Sequence, residues 1–119
     1  MAESIVYEKS KSFAIRAVNL YKYLCNDKKE YVMSKQLLRS ATSIGANLAE
    51  SNYAPSKRDF VHKIYLSLKE AAETKYWLEI LYETNYLENS EFDSLNTDCS
   101  EIITILNSIT KTMNPRTNK

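Results

Sequence analysis

Apolar residues recur at helical steps of three and four in four stretches of the chain, and polar breaks separate the stretches. Phe13, Ala17, Leu20 and Leu24 predict a first helix over about residues 10–25. Leu37, Ala41, Ile44 and Leu48 predict a second over 34–54. Phe60, Ile64, Leu68, Ala71, Leu78 and Tyr82 predict a third over 57–84, with Lys75 interrupting the seam. Phe92, Leu95, Cys99, Ile102, Leu106, Ile109 and Met113 predict a fourth over 91–113, and this pattern is the most regular of the four. Ser56 followed by Asp59, and Ser90 followed by Asp93, read as N-terminal caps of the last two helices. Ile5, Val6 and Tyr7 either pack or fray ahead of the first helix, and Asn114-Pro115 ends the fourth. Short connections between four helices favour antiparallel neighbours. The expected architecture is therefore all-α, an up-down-up-down four-helix bundle occupying 1–119 as a single domain.

The second helix carries more than a core seam. Gln36, Ser40, Ser43, Asn47 and Glu50 form a polar stripe of mostly short, uncharged side chains, unlike a solvated face of long charged ones. Ala41, Gly45 and Ala49 form a line of small residues along which a neighbouring backbone can approach closely. The stripe is a candidate oligomer interface or a structural polar seam.

Composition narrows the class. One glycine and two prolines in 119 residues leave too few turns for an all-β fold. Cys25 and Cys99 are too few for a disulfide scaffold and fall on apolar helical positions, as thiols do in a reducing compartment. The sequence shows neither a signal-peptide pattern nor an apolar run long enough to span a membrane, so the expected location is cytoplasmic, with no membrane partner.

Candidate chemistry is sparse. His62 is the only histidine, and no metal or cofactor set is expected. Ser40 and Ser43 have no histidine at helical spacing to serve as a base. Glu70 and Glu73, one turn apart on the third helix, read as hydrogen-bonding partners of Arg39 or neighbours of Glu50 rather than an acid–base pair. The expectation is a protein that is not an enzyme.

Nine tyrosines and Trp77 suit interfaces, because an aromatic ring with a polar tip tolerates partial burial. Tyr76, Trp77, Ile80, Ile103 and Ile105 exceed what one core needs and favour a homo-oligomer. The net charge of +1 conceals a polarity. In such a bundle the termini and the second turn share an end. That end gathers Lys9, Lys11, Arg16, Lys57, Arg58, Lys63, Lys111, Arg116 and Lys119 against Glu3, Glu8, Glu50 and Asp59. Residues 79–101 hold seven carboxylates and no Lys or Arg. A ring of parallel copies would align these ends into a basic rim, open to RNA, DNA or an acidic protein, and an acidic rim.

The stretch Gln36-Leu37-Leu38-Arg39-Ser40-Ala41-Thr42-Ser43-Ile44-Gly45-Ala46-Asn47-Leu48-Ala49-Glu50-Ser51 resembles the Q-L-x-R-A-x-x-S-I-x-A-N-I-A-E-G segment of small bacterial bundle proteins. These are encoded in intervening sequences of large-subunit ribosomal RNA genes. Ser56, Asp59-Phe60, Ser67-Leu68-Lys69-Glu70-Ala71 and Glu73-Thr74-Lys75-Tyr76-Trp77-Leu78 fit the third helix of the same family. Ser51 stands where that family often has glycine. The resemblance extends to the accessory variability determinant of diversity-generating retroelements, a ring-like pentamer that binds reverse transcriptase and nucleic acid. It implies a homo-pentameric bundle acting as an assembly or adaptor protein. The alternative it implies is an accessory protein that binds nucleic acid and acts with a reverse transcriptase or ribosomal RNA.

Overall fold

Four helices account for most of the chain in the computed structural model, which describes residues 2–113: α1 (Ala2–Asn26), α2 (Met33–Ser51), α3 (Lys57–Glu83) and α4 (Asn89–Met113). α1 packs on α2 and α4, and α3 packs on the same two helices, so the four close an antiparallel ring around one core. This is the expected up-down-up-down bundle. Among the described residues no helix is long and apolar enough to cross a membrane. Arg116 and Lys119, and the Asn114-Pro115 stop, lie outside the described residues.

Each departure from the expected boundaries has a local cause. α1 begins eight residues before the expected Ser10 because its seam continues through Val6 and Ser10, both fully buried. The Ser10 hydroxyl donates to Val6 O at 2.6 Å, so a polar residue occupies a core position at no cost in unpaired groups. α2 ends at Ser51, before the expected 54. The N–H groups of Asn52, Tyr53 and Ala54 bond three residues back, to Ala49, Glu50 and Ser51, and the helix tightens out of register.

Ser56 caps α3 as expected. Its backbone is extended, its oxygen accepts from the Asp59 N–H at 3.1 Å, and its hydroxyl donates to the Asp59 carboxylate. α3 closes on Asn85, whose φ of 70° lets Tyr86 N–H reach Leu81 O and Asn85 N–H reach Tyr82 O. Ser90 does not cap α4. The helix already includes Asn89, and the Glu91 carboxylate reaches back to the Glu88 N–H at 3.1 Å, one half of a capping box shifted two residues upstream. Asp93 therefore sits in the second turn, past the third helical position.

The core is formed by Phe13, Leu24, Leu37, Ile44, Ile64, Leu78, Ile102 and Leu106, each at most 2% exposed, with their smaller neighbours. The seam of α3 differs from the expected one. Ser67, Thr74 and Leu81 are buried, while Phe60, Leu68 and Tyr82 only flank the core. The line runs Ile64, Ser67, Ala71, Thr74, Leu78, Leu81, and Lys75 lies beside it, bonding Ser100 of α4.

Candidate assembly surface and charged ends

The polar stripe of α2 turns toward α3, and its members divide. Ser40 is fully buried and lies 2.9 Å from the Thr74 hydroxyl. Ser43 and Asn47 are half-buried, and each donates to its own helix, Ser43 to Arg39 O and Asn47 to Ser43 O. Gln36 is half-buried, and Glu50 is exposed with Lys63 of α3 at 2.6 Å. Ser67 contributes from the other side by donating to Ile44 O at 2.8 Å. Residue spacing on α2 revealed the stripe, but nothing in the sequence marked Ser67 and Thr74 as the groups that meet it.

Arg39, next to the stripe, bridges Glu70 and Glu73 of α3. The Trp77 indole also donates to Glu73, at 3.0 Å. The indole and the guanidinium hold the Glu73 carboxyl below its usual range, so it stays ionised and acceptor-only near neutrality. These two carboxylates are thus engaged between helices, as anticipated.

Gly45 is the close-approach point on the small-residue line. A β-carbon added there would lie 3.5 Å from Ser10 Cβ and 3.8 Å from Ser10 C, so α1 passes in ordinary van der Waals contact. The approach favours a small residue and does not demand glycine.

A buried carboxylate in the charged connection between α1 and α2 organises the first turn. Glu30 accepts from the N–H groups of Val32, Met33 and Ser34, three of the free donors that open α2. Burial pushes its carboxyl up, and the three backbone donors outweigh that and hold it below its usual range. Lys29, at φ 56°, turns the chain so that Glu30 N–H reaches Leu24 O. The only sequence signal was an acidic residue four positions before the expected start of α2 at Ser34.

The cations of the expected basic end do not all serve it. Lys57 and Arg58 are exposed at the start of α3, Lys11 is exposed on α1, and Lys111 lies in the last turn of α4. Val61 and Met113 complete a shallow pocket with Lys57 and Arg58. Lys63 is paired with Glu50, and Lys9 with Glu101 at 3.5 Å. Arg16 sits past the middle of α1, bonding Asp98 and Ser94 of α4, and so does not belong to that end. The reason is stagger. α1 and α4 are antiparallel, so a residue midway along one meets a residue midway along the other. His62 is exposed.

The apolar surplus also divides. Tyr76 is 54% exposed and Tyr65 40% on the outer side of α3, where the rings of Tyr76 and Trp77 meet edge to face at 5.1 Å. Trp77, Ile103 and Ile105 pack against the core. Cys99 is buried and donates to Ala71 O, and burial pushes its thiol up to about 12, which keeps it protonated. The Ser40, Ser43 and Ser67 hydroxyls are directed at backbone carbonyls within the bundle.

The fold and these surfaces define a small all-α bundle with a hydroxyl-bonded α2–α3 contact and an aromatic strip on α3. The chain belongs to the family described as 23S rRNA-intervening sequence protein, which matches residues 2–108. It is similar to a solved structure from Bacteroides thetaiotaomicron, a protein with unknown function from the S23 ribosomal protein family. The TM-score is 0.92 at 52% sequence identity, covering 93% of this chain and 99% of that one. Comparison with curated proteins gives no match.

Proposed function

We propose that the protein is a non-enzymatic assembly or adaptor subunit that works as a homo-oligomer in the cytoplasm. The observation that carries this reading is the strip on α3, where Tyr76 and Tyr65 stand exposed beside half-buried Leu66, Trp77 and Ile80 on a rigid helix. Aromatic groups held in this way supply contact area at low entropy cost, as interface centres do. The pairing of polar groups within the bundle supports binding over a reaction. Cys99 is kept protonated, the serines are committed to carbonyls, and Glu70 and Glu73 are held by Arg39. Resemblance to the ring-forming retroelement relative makes five the expected number of copies. Light scattering coupled to size exclusion at micromolar protein tests the reading. A pentamer mass is the expected result, and a monomer mass overturns it.

A second reading rests on the exposed Lys57 and Arg58 beside Lys111 at one end of the rod. Those cations would receive RNA or DNA, or an acidic face of a protein such as a reverse transcriptase. Filter binding across salt tests it, because phosphate-driven binding weakens steeply as salt rises. Loss of binding on replacing Lys57, Arg58 and Lys63 with glutamine, with no loss on replacing Lys28, Lys29 and Lys35, is the expected pattern. No retention by the wild type at low salt rejects this reading.

A further inference from the structure

The turn between α2 and α3 presents one aromatic ring to solvent. Tyr53 is 88% exposed, more than any other large apolar or aromatic side chain among the described residues. Its backbone is nevertheless held. The Tyr53 N–H donates to Glu50 O at 3.0 Å, the Ala54 N–H donates to Ser51 O at 3.2 Å, and Pro55 fixes the next φ. A ring on a fixed backbone loses little freedom when a partner covers it.

Two exposed cations follow the turn, Lys57 and Arg58 at the start of α3. With Val61 and Met113 they enclose a pocket of about 320 Å³, its floor apolar and its rim cationic. Arg58 also borders a second cavity, of about 500 Å³, with Ser56, Asp59 and His62. The carboxylates of this corner are engaged, Glu50 by Lys63 at 2.6 Å and Asp59 by the Ser56 hydroxyl at 2.8 Å. Glu3 and Glu8 belong to α1, which lies diagonally across the bundle from α3, and exposed Lys11 accompanies them there.

A single ring beside exposed cations selects among partners. A duplex offers phosphates to Lys57 and Arg58 but keeps its bases stacked inside, where Tyr53 has nothing to meet. A lipid surface requires a broad apolar face, and the turn offers one ring. An acidic protein face satisfies the cations and leaves the ring and the apolar floor uncovered. A single strand supplies both halves, because its phosphates follow cations while its unstacked bases lie on aromatic or apolar surfaces.

We propose that this corner of the bundle binds single-stranded nucleic acid, with one base stacked on Tyr53, a neighbouring base seated over Val61 and Met113, and the phosphates between them on Lys57 and Arg58. The inference rests on the nucleic-acid reading of the charged end, and it names the form of the strand and the ring that meets its bases. The homo-oligomer reading does not depend on it.

Fluorescence anisotropy on the purified full-length protein tests it, with labelled oligouridine, oligothymidine and a duplex, each of about 20 nucleotides in length, as probes. The wild type should hold a single strand about tenfold tighter than the duplex. Tyr53→Ala should abolish that preference by weakening single-strand binding about tenfold, and Tyr53→Trp should keep it. Lys57→Gln with Arg58→Gln should weaken all probes and flatten their salt dependence. Tyr53, Lys57 and Arg58 are exposed, so these variants leave the core untouched, and far-UV circular dichroism verifies the fold. Either single strand bound in this pattern supports the proposal, and the tighter of the two names the sugar. A duplex bound as tightly as the single strands, with Tyr53→Ala silent, overturns the stacking and leaves the charge-driven reading standing. Polyglutamate that displaces the strands as well as unlabelled oligouridine does shows that charge alone is read, and overturns it too. No binding of any probe at low salt removes both the proposal and the nucleic-acid reading.

Discussion

α3 and α4 bury seams of the same geometry and different chemistry. Both repeat at steps of three and four. α4 fills its seam with Leu95, Cys99, Ile102, Leu106 and Ile109, and its buried Thr110 bonds within α4 to Asn107 O, whereas α3 places Ser67 and Thr74 among Ile64, Ala71, Leu78 and Leu81. The apolar seam is stabilised by area removed from water, which is indifferent to small shifts of its partner. The mixed seam is tied to named atoms of α2: Ser67 to Ile44 O, and Thr74 to Ser40. A core position can thus be polar when the residue's hydroxyl has an acceptor within reach, and such a position selects one partner and one register.

The largest expected effect is on the apolar side. Leu106→Ala removes a fully buried side chain and should cost about 2–5 kcal/mol in urea unfolding. A cost under about half a kcal/mol, the range of ordinary surface changes, would mean that α4 does not bury that seam. Ser67→Leu completes an apolar seam on α3, as pattern alone would recommend. It should nevertheless lose about 1–3 kcal/mol, because a larger group must enter a filled site. A gain would show the hydroxyl to be a defect and erase the contrast between the helices.

The same logic extends to the first turn. Glu30→Gln should cost about 1 kcal/mol near neutral pH through weakened capping of α2. The Glu30 carboxyl titrates below its usual range when folded, so its contribution is complete above that range and is lost as pH falls through the folded value. The difference between wild type and variant should therefore shrink on acidification, and a constant difference would argue that charge is not what caps α2. The smallest effect is at Gly45, where the space beside Ser10 admits a methyl group. Gly45→Ala should raise stability by about 0.5–1 kcal/mol through helix propensity. A loss would mean that α1 and α2 lie closer than ordinary contact.

Much of this is legible in the sequence. The number of helices, their order, the seam of α2, that of α4 from Leu95 to Ile109 and the Ser56 cap all follow from spacing. They depend on residues near one another in sequence or on a continuous apolar line. The early start of α1, the true seam of α3 and the position of Arg16 did not follow. Val6 to Phe13 reads as broken because Ser10 interrupts it, and Ser67 and Thr74 fall outside the expected seam of α3 for the same reason. Whether a serine is tolerable inside depends on an acceptor one turn back or on another helix, and a linear pattern does not encode that distance.

Local spacing by itself determined an all-α bundle of four helices and the polar stripe of α2, because helical period and turn chemistry act over a few residues. Only the packed bundle decided which hydroxyls enter the core, which cations are already paired, and which groups of α4 Arg16 meets. Each of those depends on the stagger of helices distant in sequence, and that stagger exists only once the side chains between them have found their partners.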